Sequence, residues 1–474
     1  MKETQKRDFT QGPILSSLAK ISIPIIFANL LQTAYQMTDT FWVGRLGNNA
    51  VASVSVSFPV LFFVISVGIG ITMAGSILIA QYKGSKDLQN LSHITTQTYV
   101  LVTVISIMLS FLGYFLTDPI LRAMQVEEKL FSDASIYLKI NFIGIIFTYT
   151  YMIFQSLMRG IGEVRIPMMV VLLTVILNLV LDPLFIFGYK SIPGYGVMGA
   201  AIATLLTQII SSIIGTIILL KGNFGIQLQL SNYKPDYHLF KRIFKLGVPT
   251  SIEQSMRSLG MLAMTTLVTY FGSVTLAAYG IGMRLFSFVL VPTVGLSIAT
   301  TTLVGQNMGA GKIERVEKTA KLAIISGFFS TSIIGVLFYF FASDLALFFI
   351  PNEPETIALS AQFLKILSFT FGLLAVAQVM GGVFRGAGDT MITMFISIIS
   401  IWILRFPLAY YLSRHTDLRE NGIWYSFLIE MSIATALYFL WYFRGSWKKI
   451  KLTEEKILSD KTHEASIVEE GLES

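Results

Sequence analysis

The sequence has no cysteine, four histidines and only 13% charged residues in 474. The missing cysteines exclude disulfides, thiolate metal centres and cysteine nucleophiles. His93, His238, His415 and His463 all lie in or beside polar segments, which argues against a histidine zinc site or a buried proton relay. An average soluble protein is about 25% charged, so the charge deficit excludes an ordinary soluble enzyme. In its place stands a 54% hydrophobic chain with 36 Phe, 19 Tyr and 19 Met. Such rings and thioethers can line an adaptable apolar cavity, although most must face lipid or pack helices. The formal charge of +7 reads better as asymmetric membrane loops than as a nucleic-acid surface.

A spanning helix needs about 20 mainly apolar residues. Twelve such runs occur, near 19–43, 51–80, 93–116, 134–157, 166–189, 196–220, 247–271, 276–304, 319–342, 358–384, 390–413 and 421–444. They are far too long for membrane β-strands. The expected fold is therefore an all-α integral membrane protein with twelve transmembrane helices. Most of the 35 Lys and Arg fall in the tails and in the connections after even-numbered spans, which predicts cytoplasmic termini. The polar start, MKETQKRDFTQGP, reads as an uncleaved tail over 1–18. A basic linker over 221–246 separates a lobe at 19–220 from a second at 247–445, and a polar tail follows over 446–474.

The lobes repeat each other at a nearly constant offset. Pro24 matches Pro249, Gly47 matches Gly272, Gly70 matches Gly295, Gln81 matches Gln306 and Gly84 matches Gly309. With one residue inserted, Arg159-Gly160-x-Gly162-Glu163 matches Arg385-Gly386-x-Gly388-Asp389. Six spans per repeat is an even number, so both lobes enter the membrane in the same sense, an arrangement common among secondary transporters.

An ionisable group at the bilayer centre costs about 2.5–3.5 kcal/mol even on the mildest scale. Four acids fall in the runs: Asp39, Asp182, Glu253 and Glu430. Gln32, Tyr35 and Asp39 recur at steps of three and four and make a polar stripe on span 1. Asp39 suits a proton or cation switch, or a solvated residue at the interface. Asn178 and Asp182 stand one turn apart beside Pro183, whose missing N–H frees a carbonyl. That set suits sodium, a protonatable acid, or a kinked helix whose polar groups satisfy each other. Glu253, one turn from Arg257, reads as an interfacial ion pair or a coupling site. Glu430 aligns with Thr204 and reads as a substrate contact or as a partner of Arg284 or Arg405. The Arg-Gly turns read as glycine-terminated helix ends carrying cytoplasmic charges. Gly305–Lys312 misses the phosphate-loop spacing and lacks the following Ser or Thr, so no nucleotide site is expected.

These residues resemble a known family. The Pro24…Gln32-x-x-Tyr35-x-x-x-Asp39-Thr40 stretch, the Asn178-x-x-x-Asp182-Pro183 run, the GVMGAAIAT segment and the turn at Arg385 are similar to multidrug and toxic compound extrusion (MATE) transporters. The likeness runs from about residue 14 to 445 and is nearest to the prokaryotic DinF-like branch. The resemblance implies a V-shaped pair of lobes that exports amphipathic or cationic drugs in exchange for protons or sodium. It carries a cation site over to Asp39, Asn178 and Asp182, with Gln32 and Tyr35 nearby and Thr204 beside them; ion binding at Asp39 would bend span 1. Other branches use acids in spans 7 and 10, but span 10 here has none.

The expectation is a monomeric inner-membrane antiporter for small drugs or organic cations, not an enzyme, with H+ or Na+ as coupling ion and no other cofactor. Asp39, Asn178 and Asp182 are the possible Na+ ligands, and Glu253, Glu430 and Arg284 are further cavity candidates. The rival is a lipid or lipid-linked saccharide flippase with a cationic groove supplied by Arg257, Arg284 and Arg405.

Overall fold

The structure, a computed structural model, describes residues 8–190, 192–231 and 233–453. The first lobe comprises α1 (Ile14–Gly44), α2 (Asn48–Gly84), α3 (Leu88–Ala123), α4 (Glu128–Gly160), α5 (Arg165–Phe187) and α6 (Gly196–Lys221). A short antiparallel hairpin, β1 (Gly188–Tyr189) with β2 (Ile192–Pro193), joins α5 to α6. The second lobe comprises α7 (Tyr237–Thr269), α8 (Ser273–Gly309), α9 (Ile313–Phe340), the short α10 (Ala342–Phe349), α11 (Pro354–Ser368), α12 (Phe371–Ala387), α13 (Thr390–Ile398), α14 (Phe406–Arg414) and α15 (Glu420–Arg444).

Among the described residues ten helical spans are long and apolar enough to cross a membrane, counting Thr390–Arg414 as one. The pair α11–α12, bent by 50°, is an eleventh. The twelfth, α7, has the length at 33 residues but is too polar to qualify alone. Many large apolar side chains point outward, among them Phe348, Phe443 and Phe340 at 82%, 78% and 73% exposure. An outer surface this apolar belongs against lipid rather than water.

Two local features differ from the sequence expectation. The run at 358–384 is broken at Phe369–Thr370, and the run at 390–413 contains a π-helical turn, Ile399–Arg405, whose last residue is Arg405. Basic residues 241, 242 and 245 belong to α7, which starts at Tyr237, so Glu253 lies in mid-helix rather than near a helix start. The connection before it is pinned to α3: Gln97 Nε2 donates to the Lys234 carbonyl at 2.6 Å, and the Gln229 N–H donates to Thr96 Oγ1 at 2.9 Å. Asp236 caps α7 by accepting the Leu239 N–H at 2.9 Å. That bond holds its carboxyl below the usual range, and His93 at 3.0 Å adds to the effect.

The repeat is visible in the backbone. Gly47 and Gly272, with φ of +102° and +96°, make the same turn between the first two helices of each lobe, a conformation open to glycine. The lobes meet along α2 against α7 and α8, and along α1 against α8. Small residues allow the approach: a side chain on Gly84 would overlap the Gln306 carbonyl, and one on Gly309 the Gln81 carbonyl. At this end Gln81 Nε2 donates to the Gly386 carbonyl and Gln306 Nε2 to the Gly160 carbonyl, each at 3.0 Å. The segment before α1 crosses the same seam. Arg315 donates to the Gln11 and Gly12 carbonyls at 2.9 and 2.8 Å, and Phe9 packs on Gly162.

Candidate functional site

The first lobe encloses a cavity of about 620 Å³ between α1, α2, α4, α5 and α6. Gln32, Tyr35 and Asp39, four or fewer residues apart on α1, all line it, as the helical stripe requires. Thr204 on α6 lines it too and accepts the Tyr35 hydroxyl at 3.1 Å, which ties α1 to α6. Tyr137, Tyr151, Met152 and Met168 supply aromatic and thioether wall.

Asn178 and Asp182 are fully buried on α5, which continues through Pro183. Asn178 Nδ2 donates to Asp182 Oδ1 at 2.6 Å. That bond leaves Asn178 Oδ1 and Asp182 Oδ2 buried without a partner, and Asp39 Oδ1 is in the same condition. Each such orphan normally costs about 1–3 kcal/mol. Three unpartnered oxygens, two of them from carboxylates, offer hard-donor chemistry for a proton or a small alkali cation. A self-satisfied polar kink in α5 does not fit them.

The second lobe differs. Glu253 is 1% exposed and accepts Arg257 at 3.1 Å and Arg385 at 3.2 Å, so it forms a buried ion cluster instead of an interfacial pair. Arg385 is correspondingly buried, at 7% exposure, where the sequence suggested a solvated helix-end charge. Glu430, 3% exposed, pairs with Arg405 at 2.7 Å, whose guanidinium also lies 4.6 Å from the centre of the Phe427 ring. Arg284 is not its partner; it is exposed on α8. None of Glu253, Glu430 and Arg284 lines the cavity. Two of the three arginines expected to charge a lipid groove, Arg257 and Arg405, are thus paired with acids.

Sequence reasoning missed Tyr137, Gln208 and Arg159 as cavity residues. For Arg159 a signal existed in its repeat mate, because the acid that faces Arg385 has no counterpart in the first lobe.

Comparison with known proteins bears on the whole chain. The MatE family model matches residues 24–184 and again 249–411, the same 225-residue offset as the internal repeat. The chain is 31% identical over 450 residues to the probable multidrug resistance protein YpnP of Bacillus subtilis, covering 95% of this chain and 99% of that one. It is 30% identical over 446 residues to the probable multidrug resistance protein NorM of Thermotoga maritima, covering 94% and 96%. Among solved structures, MATE in the straight conformation superposes with a TM-score of 0.87 at 25% identity, covering 95% of this chain and 100% of that one. An outward-facing multidrug resistance MATE family transporter of the MOP superfamily gives 0.87 at 24%, covering 95% and 99%. The chain belongs to the MATE family.

Proposed function

We propose that the protein is a cation-coupled multidrug efflux antiporter of the cell membrane, acting as a monomer on amphipathic or cationic small molecules. The observation that carries the reading is the set of unpartnered oxygens on Asp39, which lines the first-lobe cavity, and on Asn178 and Asp182, buried on α5 outside its lining. Binding a proton or Na+ there satisfies groups that are otherwise orphaned, so the ion and the substrate act on the same α1 surface. An ion that favours one shape of the lobe shifts the population by its differential affinity for the two shapes, and a substrate favouring the other shape is thereby exchanged for it. The full-length resemblance to multidrug resistance proteins supports the substrate class. The face carrying both described chain ends is read as cytoplasmic, with the connection between α6 and α7 on the same side, and the chain divides there into its two lobes.

Reconstituted protein under separately imposed proton and sodium gradients tests this. Wild type is expected to expel a cationic dye under at least one gradient. Asp39→Asn, which keeps shape but loses the charge, is expected to reduce gradient-driven efflux at least tenfold. Undiminished efflux by that variant would remove Asp39 from the mechanism.

A further inference from the structure

Arg159 and Arg385 occupy equivalent positions, 226 residues apart, at the ends of α4 and α12. In the second lobe Arg385 Nη1 reaches both Glu253 oxygens, at 3.2 and 3.4 Å, and Nη2 donates to Ser297 Oγ at 3.0 Å. Glu253 stands on α7, and the position 225 residues earlier, on α1, is Ala28. Ala28 and Arg159 both line the first-lobe cavity. Among the described residues no ion pair or hydrogen bond engages the Arg159 guanidinium. The acid nearest in sequence, Glu163, turns its carboxylate to the backbone N–H groups of Arg165 and Ile166, at 2.9 and 3.4 Å. The first lobe therefore keeps the arginine and has a methyl group where the second lobe has its carboxylate.

A partly buried guanidinium without a counter-ion is costly, and its planar fork matches a carboxylate in two parallel hydrogen bonds. Asp39 and Arg159 are the only charged side chains lining the cavity among the described residues. Asp39 lies eleven residues along α1 from Ala28, about 16 Å at 1.5 Å per residue. A molecule bearing only negative charge would meet Asp39 unfavourably, whereas one with an acid at one end and a cation or apolar body at the other matches both ends.

We infer that Arg159 is an anion subsite at the foot of the cavity, taking the carboxylate of a zwitterionic amphiphile into the space that Ala28 leaves open. This rests on the efflux reading and names one substrate class for it.

The experiment uses two dyes that share a cationic ring system: rhodamine 110, which has a free carboxylate, and rhodamine 123, its methyl ester. Binding to the full-length protein in neutral phosphatidylcholine nanodiscs is followed by fluorescence polarisation without any gradient, so the result is independent of coupling at Asp39. Wild type is expected to favour rhodamine 110 by about tenfold, the size of a charge-assisted contact. Arg159→Gln is expected to bring that ratio near one. Ala28→Glu, which installs the acid of the second lobe and keeps the arginine, is expected to do the same, so a folding defect peculiar to either variant does not decide the matter. An equal ratio for the two dyes in wild type, no binding of rhodamine 110, or an undiminished preference in both variants would overturn the inference. So would loss of the preference when phosphatidylglycerol is added to the nanodisc, because the subsite would then belong to a lipid phosphate.

Discussion

The two lobes share an architecture and differ in how they treat charge. In the second lobe each buried acid has an arginine: Glu253 has Arg257 and Arg385, and Glu430 has Arg405. In the first lobe Asp39, Asn178 and Asp182 keep unpartnered oxygens, and Arg159 has no acid among the described residues. An acid already held by arginines has little to gain from a ligand, while orphaned carboxylate oxygens gain a full desolvation term when one arrives. Duplication thus supplied one lobe whose buried acids are held by arginines and one whose cavity-side acids are not.

The sharpest way to break that comparison is to unpair one side and neutralise the other. Arg385→Met leaves Glu253 buried with only the half-exposed Arg257, and removing one partner of a buried pair typically costs about 3–5 kcal/mol. Asp182→Asn removes a charge that has no cationic partner and retains the oxygen that Asn178 donates to, so a loss below about 1 kcal/mol is expected. Unfolding midpoints in detergent should fall clearly for the first variant and little for the second. Equal losses would mean that the first-lobe acids are structural.

A second comparison concerns the seam itself. Gly84→Val and Gly309→Val each drive a side chain into a main-chain carbonyl of the other lobe, which cannot rotate aside. Each is expected to spread the lobes at the face carrying the chain ends. The chain has no native cysteine, so spin labels on cysteines placed at the exposed Ser85 and Glu314 report the distance without background. An unchanged distance in both variants would show that the seam accommodates the added bulk by local shifts.

Much of the difference between the lobes is legible in the sequence, and the reasons are physical. Apolar length marks the spans, and helical spacing alone aligns Gln32, Tyr35 and Asp39. Periodicity does not show the break at Phe369–Thr370 or the π-helical turn ahead of Phe406, because both lie inside long, mainly apolar runs with no proline or glycine at the break itself. The basic residues 241, 242 and 245 mask the start of α7 by resembling a loop. Pairing is the least visible property. Glu253 meets Arg385 across 132 residues of chain, and the choice of Arg405 over Arg284 for Glu430 depends on which face of α8 turns outward.

The smallest expected effect tests how evenly the lobes share their closure. Gln81 and Gln306 are equivalent in the repeat, both buried, and each donates to the carbonyl of an equivalent glycine at 3.0 Å. On that ground alone Gln81→Ala and Gln306→Ala should each weaken the closed seam by about 1 kcal/mol, roughly a fivefold change in the open-to-closed ratio read by the same label pair. The surroundings are unequal, however. Beside Gly160, Thr302 Oγ1 also donates across the seam to the Arg159 carbonyl at 3.2 Å, and Phe9 packs on Gly162 while Arg315 holds the Gln11 and Gly12 carbonyls. These contacts act in parallel with Gln306 and keep its side together when the amide is lost. Gln81→Ala should therefore shift the label distances more than Gln306→Ala. In a chain also carrying Arg315→Ala and Thr302→Val the two should converge, and failure to converge would place the asymmetry of closure elsewhere than in the segment before α1.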